Sequence, residues 1–281
     1  MKFRFLSFFF LCFLVSSGLN AAEVSLPFDH SEWDQFLKKF VNEKGEVNYR
    51  AVKEDPELLN TYLEKIKSFP SSAFLNWPRE ERIALLINVY NAGIIKAIVD
   101  HYPVKSVMNL PGGWEQAQVQ IGSSFARNRD AWEQSSHVYS LNQIEHGLLR
   151  RAFRDEKILF ALSQGAKGSP PLSRDAFIGP KLEGQLYLVT RRFVNDSSRN
   201  HIEPGQKKIV VARVFQWCSE DFLINWGKYP GQNKWDPNEM AMLSFFAHYL
   251  DDPKKIEFLR EGKYKVKYEV YDWRLNDQMS S

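Results

Sequence analysis

The longest helical pattern in the chain begins after Pro78 and constrains the fold more than any other segment. Proline is well suited to the start of a helix, and the apolar residues that follow it recur at helical spacing. These residues are Ile83, Leu86, Ile87, Tyr90, Ile94, Ala97 and Ile98. A helix this apolar must be covered by the rest of the chain. The pattern therefore predicts a helix at the centre of the core.

Two asparagines interrupt or border the apolar face of this helix. Asn88 and Asn91 are costly inside a helix, because asparagine competes for backbone hydrogen bonds and has low helix propensity. They are therefore candidate ligand contacts that line a pocket, or they bond to the backbone of a neighbouring loop.

Short strand patterns are dispersed among the helical ones. Residues 116–121 and 264–271 alternate with period two, residues 208–214 are rich in valine, and residues 158–162 form an apolar run that predicts a buried strand. Residues 214–226 have a helical pattern. Helices outnumber strands, so the sequence predicts an α+β fold: a helix-rich single domain around a small mixed or antiparallel sheet.

The first 21 residues have the features of a signal peptide. Lys2 and Arg4 precede an apolar stretch over residues 5–15, and Ala21 offers a cleavage site. We expect a secreted or periplasmic protein with no membrane span after cleavage. A retained membrane anchor is the alternative. Residues 22–74 follow as a helical lead-in, expected to form one compact unit with the domain at residues 75–276.

Charge and cysteine content limit the partners and the chemistry. Cleavage removes Lys2 and Arg4 from the 37 basic residues and none of the 34 acidic ones, which leaves a formal charge of +1. That balance is not typical of a nucleic-acid binder. Cys218 alone remains, so no internal disulfide can form, and we predict a buried structural thiol. The six histidines lack ligand spacing, and we predict no metal and no cofactor.

The segment Gly165–Leu172 carries glycines, two prolines and a candidate nucleophile, Ser169. The Ser169 hydroxyl could attack a substrate, or it could simply bond to local backbone before Pro170. Lys167 is a candidate ligand contact and a conceivable base for a Ser–Lys pair, although lysines in loops are usually solvated.

A second polar cluster lies on the helix that Ser140 is predicted to cap. On a regular α-helix, Glu145 and His146 point about 100° apart, whereas His146 and Arg150 share a face at i, i+4. The cluster could face the Ser169 loop, with Arg150 binding a carboxylate or phosphate group. It could equally be a buried network that fixes the helix in place.

Four ordered motifs resemble the family called domain of unknown function 547. They are Leu-Ile-Asn-Val-Tyr-Asn-Ala at residues 86–92, Leu-Asn-Gln-Ile-Glu-His-Gly-Leu-Leu-Arg at 141–150, Gly-Ser-Pro-Pro-Leu at 168–172 and Tyr-Asp-Trp-Arg-Leu-Asn at 271–276. The resemblance implies a cysteine at the position of Ser169 and a histidine at that of Leu159. Both are replaced here, which argues against cysteine-type catalysis and leaves it open whether the protein is an enzyme.

Two functional hypotheses follow. In the first, the protein is a binding or scaffold module of the cell envelope with a degenerate cysteine-enzyme-like site, and its partner is an unknown small molecule or envelope component. In the second, it is a hydrolase with Ser169 as nucleophile, His146 as base and Glu145 or Arg150 in support.

The tryptophans could line a carbohydrate site or fill the core. They include Trp114, Trp132, Trp217, Trp226, Trp235 and Trp273.

Overall fold

The computed structural model describes residues 27–122, 138–227 and 236–279, without the side chains of Ser71 and Ser72. The predicted signal peptide lies outside the described residues, as do Trp132 and Trp235. Helices dominate the described part of the chain, and the strands form two small sheets. The predicted helix-rich α+β class is therefore confirmed.

Four helices make up the segment before the longest helix. They are α1 (Ser31–Phe40), α2 (Tyr49–Glu54), α3 (Glu57–Ser68) and α4 (Ser71–Asn76). Their apolar side chains belong to the same hydrophobic core as those of the longest helix. Trp33 of α1 stacks on Tyr62 of α3 with ring centroids 5.6 Å apart, which anchors these helices to each other.

The longest helix, α5 (Arg79–His101), is the predicted core helix. Residues 83–95 are all buried, so the helix is covered on every side and not only along one apolar face. Its length and composition would allow it to cross a membrane, but 83% of its most apolar stretch is buried inside the protein. Burial of this kind is what a core helix requires.

The first sheet pairs β1 (Gln118–Gln120) with β2 (Val138–Ser140) in antiparallel register, with Val119 opposite Tyr139. The sheet packs directly on α5. A Cβ atom at Gly93 of α5 would lie 2.5 Å from the Val119 side chain, so the close contact requires glycine there.

The second sheet is mixed and has the order β3-β4-β5. Strand β3 (His201–Glu203) runs antiparallel to β4 (Lys208–Val211), with Ile202 opposite Ile209. Strand β5 (Lys265–Tyr268) runs parallel to β4, and its Val266 is aligned with Ile209.

The remaining helical elements are short, apart from three. They are α6 (Gly113–Gln116), a π-helix (Gln143–Arg150), α7 (Arg151–Phe153), α8 (Leu182–Val194), α9 (Arg213–Trp217), α10 (Leu223–Trp226), α11 (Pro237–Tyr249), α12 (Pro253–Glu261), and 3₁₀ turns at Val107–Asn109, Glu156–Phe160, Gly179–Lys181, Pro204–Gln206 and Ser219–Phe222. The single helix predicted over residues 214–226 is thus three pieces, interrupted at Cys218.

The strand predicted at residues 158–162 is wrong. Glu156–Phe160 is a 3₁₀ helix, and the Asp155 side chain accepts a hydrogen bond from the Lys157 amide at its start. The run is apolar because it lies between two cores: Ile158 packs in the core around α5, and Phe160 packs in a second core with Phe193 and other aromatic residues. A short apolar run cannot reveal whether a buried segment is strand or helix.

The burial of His30 should make stability depend on pH. Its Nδ1 lies 2.7 Å from the Tyr62 hydroxyl, and burial lowers the pKa of His30 from 6.5 to about 4. The unfolded chain then binds a proton that the folded protein resists. This stabilisation is complete above pH 6.5 and is lost as pH falls from 6.5 to 4, which amounts to about 3 kcal/mol.

The variant His30→Gln removes this titration while an amide can still bond to Tyr62. Between pH 7 and pH 4, we expect the free energy of unfolding of the wild type to fall by about 3 kcal/mol more than that of the variant. Urea unfolding at each pH measures it. Parallel stability curves for the two proteins would contradict the burial of a neutral His30.

Candidate functional site

A cleft of about 330 Å³ lies between the π-helix, the segment after the 3₁₀ helix Glu156–Phe160, helix α9 and the C-terminal segment. Its walls combine aromatic rings with a few polar groups, as small-molecule sites usually do. They are formed by Trp114, Asn142, Glu145, His146, Arg150, Leu159, Leu162, Gln164, Pro170, Val214, Trp217, Cys218, Tyr271 and Trp273.

The π-helix places three predicted site residues on one side. Ser140 and Gln143 start it with reciprocal hydrogen bonds: the Gln143 amide donates to the Ser140 hydroxyl at 3.1 Å, and the Ser140 amide donates to Gln143 Oε1 at 2.9 Å. Ser140 is therefore the predicted cap. The Arg151 amide then donates to the carbonyl of His146, five residues earlier.

The π-helical turn corrects the expectation that the Glu145 and His146 side chains point too far apart to share a site. On a regular α-helix, Glu145 and Arg150 would point about 140° apart. Here Arg150 Nη1 lies 3.5 Å from Glu145 Oε1, and Glu145, His146 and Arg150 all line the cleft. A π-helical turn is rare and is found disproportionately at functional sites.

The arrangement of Arg150 fixes the tautomer of His146. Arg150 Nη1 lies 2.8 Å from His146 Nδ1. A guanidinium can only donate, so Nδ1 accepts and the ring proton is on Nε2. In this geometry His146 offers a donor to the cleft, and its one lone pair is already used.

Arg150 is largely neutralised by protein groups. Its Nε donates to Asp221 Oδ2 at 2.7 Å, and Glu145 lies at 3.5 Å on the other side. The second Glu145 oxygen accepts a hydrogen bond of 3.1 Å from Tyr90 of α5. A partly buried cation needs such partners, and together Glu145, Arg150 and Asp221 carry one net negative charge. This arrangement does not favour the predicted carboxylate or phosphate ligand of Arg150.

The opposite wall of the cleft is aromatic. The Trp217 ring packs against Tyr271 with centroids 4.9 Å apart and against Trp273 at 5.7 Å. Tyr271 and Trp273 are 4.3 Å apart, and Trp114 lies 6.2 Å from Trp273. Trp217 is half exposed, at 50%, and can therefore meet a ligand. Sequence reasoning named the tryptophans as possible ligand contacts but not Tyr271, which only the motif at 271–276 could have indicated.

Ser169 is placed apart from His146 and is 1% exposed. Its hydroxyl donates to the Ala166 carbonyl at 2.7 Å. Burial raises the pKa of Tyr271 well above its usual value, and a hydrogen bond with Ser169 opposes that rise. Ser169 and Lys167 border a second cavity of about 600 Å³, and Pro170 lines both this cavity and the cleft. No hydrogen bond joins Ser169 to His146 among the described residues.

Leu159, at the position where the resemblance implies a histidine, is buried in the wall of the cleft. An alkyl side chain there can pack but cannot exchange a proton. The two positions implied by the resemblance thus carry a hydroxyl bonded to backbone and a hydrocarbon.

Asn88 and Asn91 bond to the backbone of loops. Asn88 Nδ2 donates to the Phe177 carbonyl at 2.7 Å, and the Phe177 amide donates back to Asn88 Oδ1 at 3.1 Å. Asn91 Nδ2 donates to the Ala161 carbonyl, and its Oδ1 accepts from the Ser163 amide, both at 2.9 Å. The polar atoms of both side chains are engaged by protein, as the second of the two sequence interpretations expects.

Cys218 is buried, as predicted, but it also forms part of the cleft wall beside Arg150. Burial raises the pKa of the Cys218 thiol to about 12, although the nearby Arg150 opposes the rise. Such a thiol is almost entirely protonated at neutral pH and is a poor nucleophile. Within the described ranges, no three histidine, cysteine or acidic side chains are grouped to hold a metal ion.

Comparison with known proteins supports the motif-based resemblance. The family model described as "Protein of unknown function, DUF547" matches residues 74–194 of the chain. The match includes the motifs at 86–92, 141–150 and 168–172, whereas the motif at 271–276 lies beyond it. Searches among curated proteins and among solved structures find no significant match.

Removing the Asn91 side chain should destabilise the fold. In Asn91→Ala, the Ala161 carbonyl and the Ser163 amide lose their buried partner, which should lower the free energy of unfolding by about 2–4 kcal/mol. Asn60→Ala, on the exposed face of α3, is the matched control and should change it by less than about 0.5 kcal/mol. Urea unfolding measures both. Equal effects of the two substitutions would show that Asn91 does not hold the loop.

Proposed function

We propose that this protein is an exported ligand-binding module of the cell envelope and that it binds its ligand without catalysis. The observation that carries the proposal is the hydrogen bond from Arg150 to His146 Nδ1 beside an open aromatic cleft. It turns the cleft histidine, His146, into a fixed donor, and the aromatic surface of the cleft remains available to a ligand.

Hydrolysis through Ser169 lacks the required geometry. A serine nucleophile needs a base within about 2.6–3.2 Å that can accept its proton. The Ser169 hydroxyl instead donates to a backbone carbonyl, and the His146 lone pair is occupied by Arg150. Lys167 borders the same cavity as Ser169, but the Ser169 hydroxyl donates to the Ala166 carbonyl and not to an amine.

The catalytic alternative is tested with a fluorophosphonate, which reacts with activated serines. We expect no covalent adduct on the intact protein by mass spectrometry, because Ser169 is buried and has no base. A known serine hydrolase treated in parallel is the positive control. A stoichiometric adduct that disappears in Ser169→Ala would overturn the proposal and restore the hydrolase.

Export rests on the features of the N-terminal sequence. The basic residues Lys2 and Arg4, the apolar stretch over residues 5–15 and the small residue Ala21 are those of a cleaved secretory signal. We expect the full-length chain expressed in a bacterial host to appear in the periplasm or medium, with a mature N-terminus reading Ala22-Glu23-Val24. Retention in the cytoplasm, or an intact leader found by N-terminal sequencing, would contradict export.

A further inference from the structure

We infer that the ligand of the cleft is a saccharide, bound with one sugar ring against the Trp217 and Trp273 wall and its hydroxyls toward Glu145 and His146. The inference rests on the proposed binding function and gives that site a substrate class. It follows from the charge of the cleft, its aromatic surface and its polar groups taken together.

The charges of the cleft disfavour an anionic ligand. An anion would meet the net negative charge of Glu145, Arg150 and Asp221, since Asp221 and Glu145 already hold the guanidinium. A cation could use the aromatic rings and would not be repelled by this net charge, but an ammonium group accepts no hydrogen bond from the His146 donor. A neutral ligand with hydroxyl groups avoids the repulsion and can accept that hydrogen bond.

The aromatic wall requires a ligand with an apolar face. Trp217 presents half of its surface to solvent, and its packing on Tyr271 and Trp273 holds its ring in place. A pyranose ring has faces of axial C–H groups, which carry partial positive charge and fit the negative face of an indole. The rigid platform costs little conformational entropy when the ligand binds.

The polar wall requires hydroxyl groups. His146 Nε2–H is a donor and is half exposed, at 53% of its side chain. The Glu145 carboxylate retains acceptor capacity beyond its bond from Tyr90. Asn142 and Gln164 add amide groups to the lining. A donor beside an acceptor matches neighbouring hydroxyls, since each hydroxyl can both accept and donate a hydrogen bond.

The cleft is open to solvent beside Trp217 and beside His146, because both side chains are about half exposed. A volume of about 330 Å³ is at the small end of ligand sites. The cleft therefore suits one or two rings, and a longer glycan can continue into solvent. Envelope polysaccharides are ligands of this kind.

The test uses the full mature protein and a panel of defined probes. Oligosaccharides of glucose, galactose, mannose and N-acetylglucosamine are titrated by calorimetry and by tryptophan fluorescence. Choline and succinate represent the cationic and anionic classes. The variants are Trp217→Ala, Trp217→Phe and Glu145→Gln. Leu188→Ala, at an exposed apolar residue on α8 outside the cleft, is the matched control.

We expect at least one oligosaccharide to bind the wild type and the Leu188→Ala control with equal affinity. Trp217→Ala should weaken binding about tenfold, and Trp217→Phe should recover part of that loss because a ring remains. Glu145→Gln should also weaken binding, because an amide is a poorer acceptor than a carboxylate.

Other outcomes separate this inference from the proposed function. Binding of choline or succinate that depends on Trp217, without any saccharide binding, would overturn the saccharide class and leave the binding module standing. Saccharide binding that is unaffected by Trp217→Ala would overturn this cleft as the site. Failure of every probe class to bind would overturn the proposed binding function itself.

Discussion

Side chains in the middle of α5 make hydrogen bonds on which the rest of the structure depends. A helix buried on all sides packs against loops whose backbone groups cannot reach water and must find partners. Asn88 and Asn91 supply those partners to Phe177, Ala161 and Ser163. Tyr90, between them, reaches Glu145 in the π-helix. The same helix therefore anchors the core, the loop that forms one wall of the cleft and the carboxylate on another.

The partial burial of Arg150 shapes the chemistry of the cleft in a similar way. A guanidinium that is largely shielded from water needs acceptors, and Asp221, Glu145 and the His146 ring provide them. The hydrogen bond from Arg150 occupies the Nδ1 lone pair of His146, which a catalytic base would need. The site that results presents fixed donors, acceptors and ring faces, and the proposed binding function rests on them.

Much of the fold could be predicted because it depends on local pattern. The helix after Pro78, the strands near residues 118 and 265, the cap at Ser140 and the α+β class follow from periodicity and capping chemistry. The 3₁₀ helix at Glu156–Phe160 could not, since a run that is buried on both sides has no periodicity to interpret. The π-helical turn was likewise hidden, because its residues carry an ordinary helical pattern and the wide turn reflects tertiary contacts.

The sequence by itself determined the family resemblance, the presence of Ser169 and Leu159 where that resemblance implies a cysteine and a histidine, and the central helix, because each is a matter of residue identity or spacing. The tertiary structure decided which of those residues meet. It placed Ser169 at a second cavity beside the cleft and joined Arg150 to His146. It also gathered Trp217 and Trp273, 56 positions apart by their numbers, into one wall. Contacts between distant segments depend on packing, which local sequence patterns do not encode.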